Sequence, residues 1–482
     1  MSNLIEKNED GLQRGLKQRH ITMIAIGGVI GGGLFLGSGK GILTYGPAII
    51  LAYLFAGLLV LCVMRMLGEM TSVRLNTTGS FMAFASEAFG PLGGHITGWL
   101  YWFFWMYIIA LEAVFGGQLL NSLLPNLIPI NSMWFVSLIL TILLTISNCF
   151  SVKNYGEFEF WFAIIKVVTV CAFLGLGVLI MVGAIPSFPA PGLTNILNVA
   201  NGGFAPFGWS AVPLGLLFIM FAFFGAEIGA IAVRESDNPG KAIHTVINSV
   251  VWRIMLFYIG SITIIALVLP SIDKEHLVNP YASIFDMAGI PYAGTIVTCV
   301  VLTSVLSCLN SALYTNSRML FGLAKEGNAP KFLLKLNRHG VPVRAVIAST
   351  TFSYIAVIIQ LISTSNFDLF GYIANAAGAV ALIVYGMIAA SHIKLRRANP
   401  DLPYAIKMWG FPYLSYFIVA ALIAAVTMMF FIAELRLQLI STVVLGVITI
   451  AIYFLIHMND AKEALKIASM PILEVPEEEH HA

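Results

Sequence analysis

Charge is what this chain has least of. Lys and Arg number 26 and Asp and Glu 24 in 482 residues, so 10% of the sequence is charged while 59% is hydrophobic. An ordinary soluble domain carries about a quarter charged residues, and a mean hydropathy of +0.88 likewise excludes a water-exposed globular fold. The net charge near +2 is a sum over two faces of a membrane, and basic loops are explained by topology, so no nucleic-acid partner is expected. Cysteine is scarce as well. Cys62, Cys149, Cys171, Cys299 and Cys308 show no CxxC pairing and no histidines at ligand spacing, which leaves no metal site and reads as small packing residues. HExxH and GxSxG are absent, and Gly37-Ser38-Gly39-Lys40 lacks the first glycine and the trailing Ser or Thr of a phosphate loop. No catalytic residue and no cofactor is therefore expected. An ion channel would want a continuous charged or carbonyl-lined pore, which so few buried charges do not supply.

Apolar runs are what the chain does have. A span takes roughly 20 apolar residues, and twelve candidates begin near positions 20, 46, 94, 132, 158, 211, 244, 292, 341, 367, 411 and 437. The start of the chain is polar (Glu6, Lys7, Glu9, Asp10, Arg14, Lys17, Arg19), so the first span itself is expected to direct insertion and the N-terminus to stay cytoplasmic. In that orientation the outer loops carry only Lys40, Lys274 and Arg436, whereas the inner connections hold Lys325 to Arg344 and Lys394 to Arg397. An even span count puts both termini inside. Gly79 to Gly90 is too short to cross and carries Glu87, so it is expected at the inner interface.

Two weak spots interrupt this pattern. Gly27-Gly28-Val29-Ile30-Gly31-Gly32-Gly33 lies inside the first span, and Phe221-Ala222-Phe223-Phe224-Gly225-Ala226-Glu227 inside the sixth. Breaks expose backbone N–H and C=O groups at membrane depth, where they persist only beside a cavity or a ligand. Each opens a set of five spans, which suggests a duplication, and an odd count turns the second set upside down. The expected fold is an all-α polytopic membrane protein with a five-plus-five inverted repeat. Its segments are a cytoplasmic tail (1–19), a first repeat (20–184), a second repeat (185–393), spans eleven and twelve (394–458) and a cytoplasmic tail (459–482).

The N–H groups of Gly31, Gly32 and Gly33 would open a half-helix whose dipole favours a carboxylate. The alternative is a packing face, since Gly27/Gly31 and Gly28/Gly32 fit GxxxG spacing. Phe221 to Phe224 would supply unpaired carbonyls for an amine and aromatic surface to close over it, with Glu227 following as an intramembrane acid. The pair of breaks suits a zwitterion. Lys166, roughly 12 Å along the fifth span, must find a partner, snorkel or give up its proton, and is a candidate proton-coupling element. Glu112, deep in the third span, would carry a proton, contact the ligand's amine or bond a neighbouring helix. Arg65 and Glu69, spaced i, i+4, most simply form a surface pair. The eighth span is dense in small polar residues, of which Ser304, Ser307 and Ser311 lie near one face within reach of Lys166.

At these residues the chain resembles the amino acid transporter family of the amino acid, polyamine and organocation superfamily, from Gly15 to about Met458. The matching blocks are GLKQRHITMIAIGGVIGGGLFLGSG, MRMLGEM, GWLYWFFW, SVKNYGEFEFWFAIIK, FAFFGAEI, VVWRIMLFYIGSI and SCLNSALYTNSRMLFGLA. The resemblance implies the leucine-transporter fold with two extra helices, alternating access and proton-driven uptake. It implies a ligand carboxylate at Gly31 to Gly33 and an amine at the carbonyls of Val29, Phe221 and Phe224, with Ile30, Ala222 and Gly225 beside them. Phe221 takes the position of the aromatic gate, and Lys166 that of the lysine which replaces sodium in proton-coupled members. Among subfamilies the likeness is to bacterial 4-aminobutyrate permeases, with Ala222 and Ala376-Ala377 standing where those tend to have serines. The expected function is proton-coupled import of a neutral amino acid, 4-aminobutyrate being one candidate. An amino acid exchanger, or a permease for alanine or proline, is the alternative. The partners are then the amino acid, protons and the bilayer.

Overall fold

The structure is a computed structural model that describes residues 30–73, 81–127, 132–150, 155–186, 188–197, 203–225, 227, 247, 253–338, 340–362 and 368–468. Every regular element among them is helical. The first is broken at Leu36 into α1 (Gly32–Phe35) and α2 (Gly37–Tyr45), followed by α3 (Ile49–Val73), α4 (Phe81–Phe89), α5 (Pro91–Leu123), α6 (Met133–Cys149) and α7 (Tyr155–Met181). After a short α8 (Thr194–Leu197) come α9 (Ala211–Phe223) and a π-helical stretch (Arg253–Gly260) that runs into α10 (Ser261–Val268). Then follow α11 (Pro280–Met287), α12 (Ala293–Lys325), α13 (Val343–Ser349), α14 (Thr351–Ile362), α15 (Leu369–Ala398), α16 (Tyr413–Phe431) and α17 (Arg436–Ala468).

Among the described residues eight helices are long and apolar enough to cross a membrane, and three shorter apolar ones lie over Met133–Cys149, Ala211–Phe223 and Met255–Val268. Their burial sorts them into layers. The apolar window of α5 is 89% buried and that of α15 78%, whereas α16 and α17 bury 28% and 17%. A helix that is apolar all round belongs in the middle of a bundle, and α5 packs on α12, α15, α4, α6 and α14. By contrast α16 and α17 turn Phe417, Phe430, Ile440, Val443 and Val447 outward, as lipid-facing helices do. The segment expected at the inner interface forms α4, whose Phe81, Phe84 and Ala85 are buried against α5 and α15.

Small residues let these helices approach closely, since lipid gives apolar side chains no reason to prefer a neighbour. Gly378 of α15 packs so tightly on α9 that a Cβ there would run into the Leu217 carbonyl oxygen. Gly378→Ala is therefore expected to destabilise the folded protein by about 1–3 kcal/mol, read as a lower unfolding temperature of the detergent-purified protein.

The C-terminal end of α3 corrects one expectation. Arg65 and Glu69 do not pair on the surface: Glu69 is 1% exposed, and its carboxylate accepts from His392 Nε2 at 2.9 Å and the Met408 N–H at 2.6 Å, with Arg396 Nε at 3.2 Å. Arg65 instead donates to the Lys407 carbonyl at 2.7 Å and lies 4.0 Å over the Trp409 ring. The connection between α15 and α16 folds under α3 and offers both side chains better partners than each other.

Candidate functional site

The first break begins as an extended backbone at Gly31 (φ −133°, ψ −154°), after which α1 starts at Gly32. Gly27, Gly28 and Val29 lie outside the described residues, so the preceding half of this span is not part of the picture. The N–H of Gly32 donates to both carboxylate oxygens of Glu112, at 3.1 and 3.0 Å. Ile30, Gly31 and Gly33 are buried beside it. A carboxylate thus does meet this helix start, and it is the chain's own. Glu112, 3% exposed on the central α5, gains a donor oriented along the dipole, the arrangement that stabilises an anion.

The sixth span breaks where α9 stops at Phe223 and Phe224 turns extended (φ −66°, ψ 151°). Gly225 follows at φ +99°, a conformation that only glycine adopts cheaply. Its N–H donates to the Glu227 carboxylate at 3.0 and 2.9 Å, and Tyr385 of α15 adds a 3.4 Å hydroxyl contact. Each break therefore has an internal carboxylate on its exposed N–H. One expected group is already engaged: the Ala222 carbonyl accepts from Tyr258 at 2.8 Å, so it is not available to an amine in this conformation.

The two breaks meet. A Cβ on Gly33 would stand 3.0 Å from both the Ala222 Cβ and the Phe221 ring, and one on Gly37 would stand 3.4 Å from that ring. Between them lies a narrow hollow bounded by Gly33, Glu112 and Cys308 on one side and Phe221, Ala222 and Phe224 on the other. Phe104, Trp105 and Ile108 of α5 close it, with the Phe104 and Phe224 rings 3.9 Å apart. It has room for about one water molecule, so an amino acid enters only if Phe221 or Glu112 moves aside. One carboxylate, exposed backbone and an aromatic wall suit a small molecule with charged ends and an apolar middle.

Lys166 sits one layer away and does not snorkel. It is 1% exposed, and its ammonium donates to Ser307 Oγ at 2.9 Å. Ser307 in turn donates to Glu159, 2.8 and 2.7 Å from its two oxygens, and Glu159 lies 3.7 Å from the Lys166 nitrogen. Of the three serines expected near Lys166, Ser307 accepts from it at 2.9 Å, Ser304 back-bonds to the Val300 carbonyl at 2.8 Å, and Ser311 is buried on the same helix.

Sequence reasoning passed over Glu159, although Glu159 and Lys166 are spaced two turns apart and share one helix face. Cys308 was read as packing alone, yet it lines the hollow, and a Cβ on Gly31 would stand 2.8 Å from its sulfur and 2.5 Å from Glu112. Tyr258 carried no local signal, because its partner lies across the bundle.

A helical, many-span membrane protein with a hollow between a helix start at Gly32 and a helix end at Phe223, lined by one carboxylate and an aromatic wall, is the class of molecule that carries small solutes through bilayers. The amino acid permease family matches residues 20–466, and the chain belongs to that family. It is 44% identical over 472 residues to the gamma-aminobutyric acid permease of Bacillus subtilis, covering 97% of this chain and 98% of that one. Similarity to the gamma-aminobutyric acid permease of Escherichia coli is 42%, over 90% of this chain and 92% of that one. The aromatic amino acid transport protein AroP of Corynebacterium glutamicum is 36% identical, over 91% and 94% of the two chains. These relatives are transporters, and the chain is a permease rather than an enzyme.

Proposed function

We propose that this permease imports a neutral amino acid together with protons by alternating access, and that 4-aminobutyrate is its first candidate ligand. The observation that carries the reading is the Glu112 carboxylate on the Gly32 N–H, in a hollow shared with the second break. Where an internal carboxylate sits, a ligand's carboxylate finds the same donors, at Gly31 to Gly33. The ammonium end then turns towards Phe221, Phe224 and the backbone before Ile30, with Phe221 closing over it. Lys166, Glu112 and Glu227 are the candidate proton carriers, and Ser304, Ser307 and Ser311 the polar partners on α12. The names of the two gamma-aminobutyric acid permeases support the ligand. Ala222, small and facing the hollow, leaves room for its unbranched chain.

The eight long and three shorter apolar helices, with the span that carries the glycine run, support twelve spans. The meeting of the first and sixth spans supports a five-plus-five inverted repeat over 20–184 and 185–393, with spans eleven and twelve outside it. Both tails then face the cytoplasm of a cell whose plasma membrane holds the protein.

The test is uptake into proteoliposomes under an imposed proton gradient, with a panel of labelled amino acids that includes 4-aminobutyrate. Accumulation that follows the gradient and is strongest for 4-aminobutyrate is the expected result. Indifference to the gradient, with uptake only against amino acid loaded inside, would make the protein an exchanger.

A further inference from the structure

We propose that Ser307 and Glu159 form, with Lys166, a relay that carries the coupling proton from the buried ammonium towards the inner face. The inference deepens the proton-coupled reading above and rests on it.

The geometry differs from that of a simple ion pair. A charge-assisted N–H···O bond closes to about 2.7–2.9 Å, yet Lys166 and Glu159 stay 3.7 Å apart. The Ser307 hydroxyl lies nearer to each, accepting from Lys166 at 2.9 Å and donating to Glu159 at 2.8 and 2.7 Å. A hydroxyl that is acceptor on one side and donor on the other is the arrangement along which a proton hops. All three groups are buried, Lys166 to 1% and Glu159 to 2% exposure, so bulk water does not short-circuit the path.

Direction follows from the helix. Glu159 lies near the start of α7, which is the inner end in the proposed orientation, and Lys166 is about 10 Å further along the axis. Glu112 and Cys308 lie within the electrostatic reach of Lys166 and border the hollow. Among the remaining elements packed on α7, α10 brings no titratable side chain, the π-helical stretch carries Arg253 and Tyr258, and α11 carries Tyr281, which stacks on Phe173 at 4.0 Å, and Asp286, whose carboxylate accepts from the Gly294 N–H at 2.9 Å. Tyr258 donates to the Ala222 carbonyl at 2.8 Å. The relay thus runs from the ligand side of Lys166 to the inner end of the helix.

In the transfer step an N–H bond of Lys166 breaks as an O–H bond forms on Ser307. At the same time the former Ser307 O–H bond breaks and one forms on a Glu159 oxygen. The ammonium becomes an amine, the carboxylate becomes an acid, and nothing is oxidised or reduced. Two buried charges vanish together, which removes a desolvation cost while the helices rearrange. Glu159 then releases its proton inward, the Ser307 hydroxyl turns back, and Lys166 is ready for the next proton from the hollow.

Glu159→Gln, which keeps size and hydrogen bonding but holds no transferable proton, tests the relay in proteoliposomes. Expected is a loss of gradient-driven accumulation of about 100-fold with exchange of labelled for unlabelled amino acid retained, since exchange moves no net proton. Ser307→Ala is expected to slow accumulation by about tenfold or more, and Ser307→Thr, which restores the hydroxyl, to recover it. Wild-type accumulation and an unchanged pH profile in Glu159→Gln and Ser307→Ala would overturn the relay. So would loss of exchange in step with accumulation in variants whose thermal unfolding is unaltered, because the pair would then serve the ligand site. If the unaltered protein ignores the gradient, the proton-coupled reading fails and takes the relay with it. A gradient-driven wild type whose variants accumulate just as it does sinks the relay alone.

Discussion

Lys166→Ala is expected to cut gradient-driven accumulation of the amino acid by about 100-fold or more, while exchange across the membrane persists. The physical reason is that the ammonium, 1% exposed and bonded to Ser307, is the buried cation nearest the hollow among the described residues. Without it no group on α7 takes up a proton from the ligand side. A loss of uptake alone would say little, because the same change strands Glu159. Breaking a buried ion pair on one side typically costs about 3–5 kcal/mol, enough to lower the amount of folded protein.

Removing both charges separates the two effects. Lys166→Met combined with Glu159→Gln leaves no unpaired ion and is expected to unfold close to the wild-type temperature, since replacing a buried pair by neutral groups is often neutral or stabilising. The double variant should still fail to accumulate. Thermal unfolding compared with gradient-driven uptake, measured for the single and double variants, gives the interaction term directly. Accumulation restored in the double variant would remove Lys166 from the coupling step.

What the sequence made legible and what it did not follow from the range of the signals. Helical membrane segments are written locally, as runs of apolar residues, and among the described residues the helices appear where those runs are. The glycine run and the Gly225 turn were legible because glycine weakens a helix inside a span, and Gly225 adopts φ +99°, a conformation few other residues tolerate. Pairing across the bundle is not written locally. Glu69 has a ready partner four residues away, and that spacing pointed to Arg65, but His392 and Arg396 of α15 and the Met408 N–H of the connection after it arrive from far along the chain. Glu112 was legible as a buried acid. That its partner would be the Gly32 N–H, the very donor reserved for a ligand, depends on how α5 threads the centre of the bundle. Glu159 is the instructive case: Ser307 was expected near Lys166 and the spacing of Glu159 from Lys166 was visible, but that the serine would join the two depends on how α12 packs on α7.

Glu112→Gln carries the second large effect, on ligand binding rather than on proton movement along α7. If the ligand's carboxylate docks at Gly31 to Gly33, it approaches the place that the Glu112 carboxylate now holds. Two ionised carboxylates about 4 Å apart repel by about 4 kcal/mol at the effective dielectric of a partly buried site. Either Glu112 swings away from Gly32 or it is neutralised by a proton, so ligand and proton arrive together. Glutamine imitates the neutral acid permanently, and its amide oxygen still accepts from Gly32, so the helix start keeps its cap. The variant is expected to bind 4-aminobutyrate about tenfold or more tightly at alkaline pH, where repulsion weakens wild-type binding, and to show a flat pH dependence. Glu112→Ala, by contrast, leaves the buried Gly32 N–H without its acceptor at a cost of about 1–3 kcal/mol, and should lower stability as Glu112→Gln does not. Ligand-induced thermal shifts across the pH range, where bound ligand stabilises the folded form by mass action, read both effects. An unchanged pH slope in Glu112→Gln would place the ligand's carboxylate away from the first break.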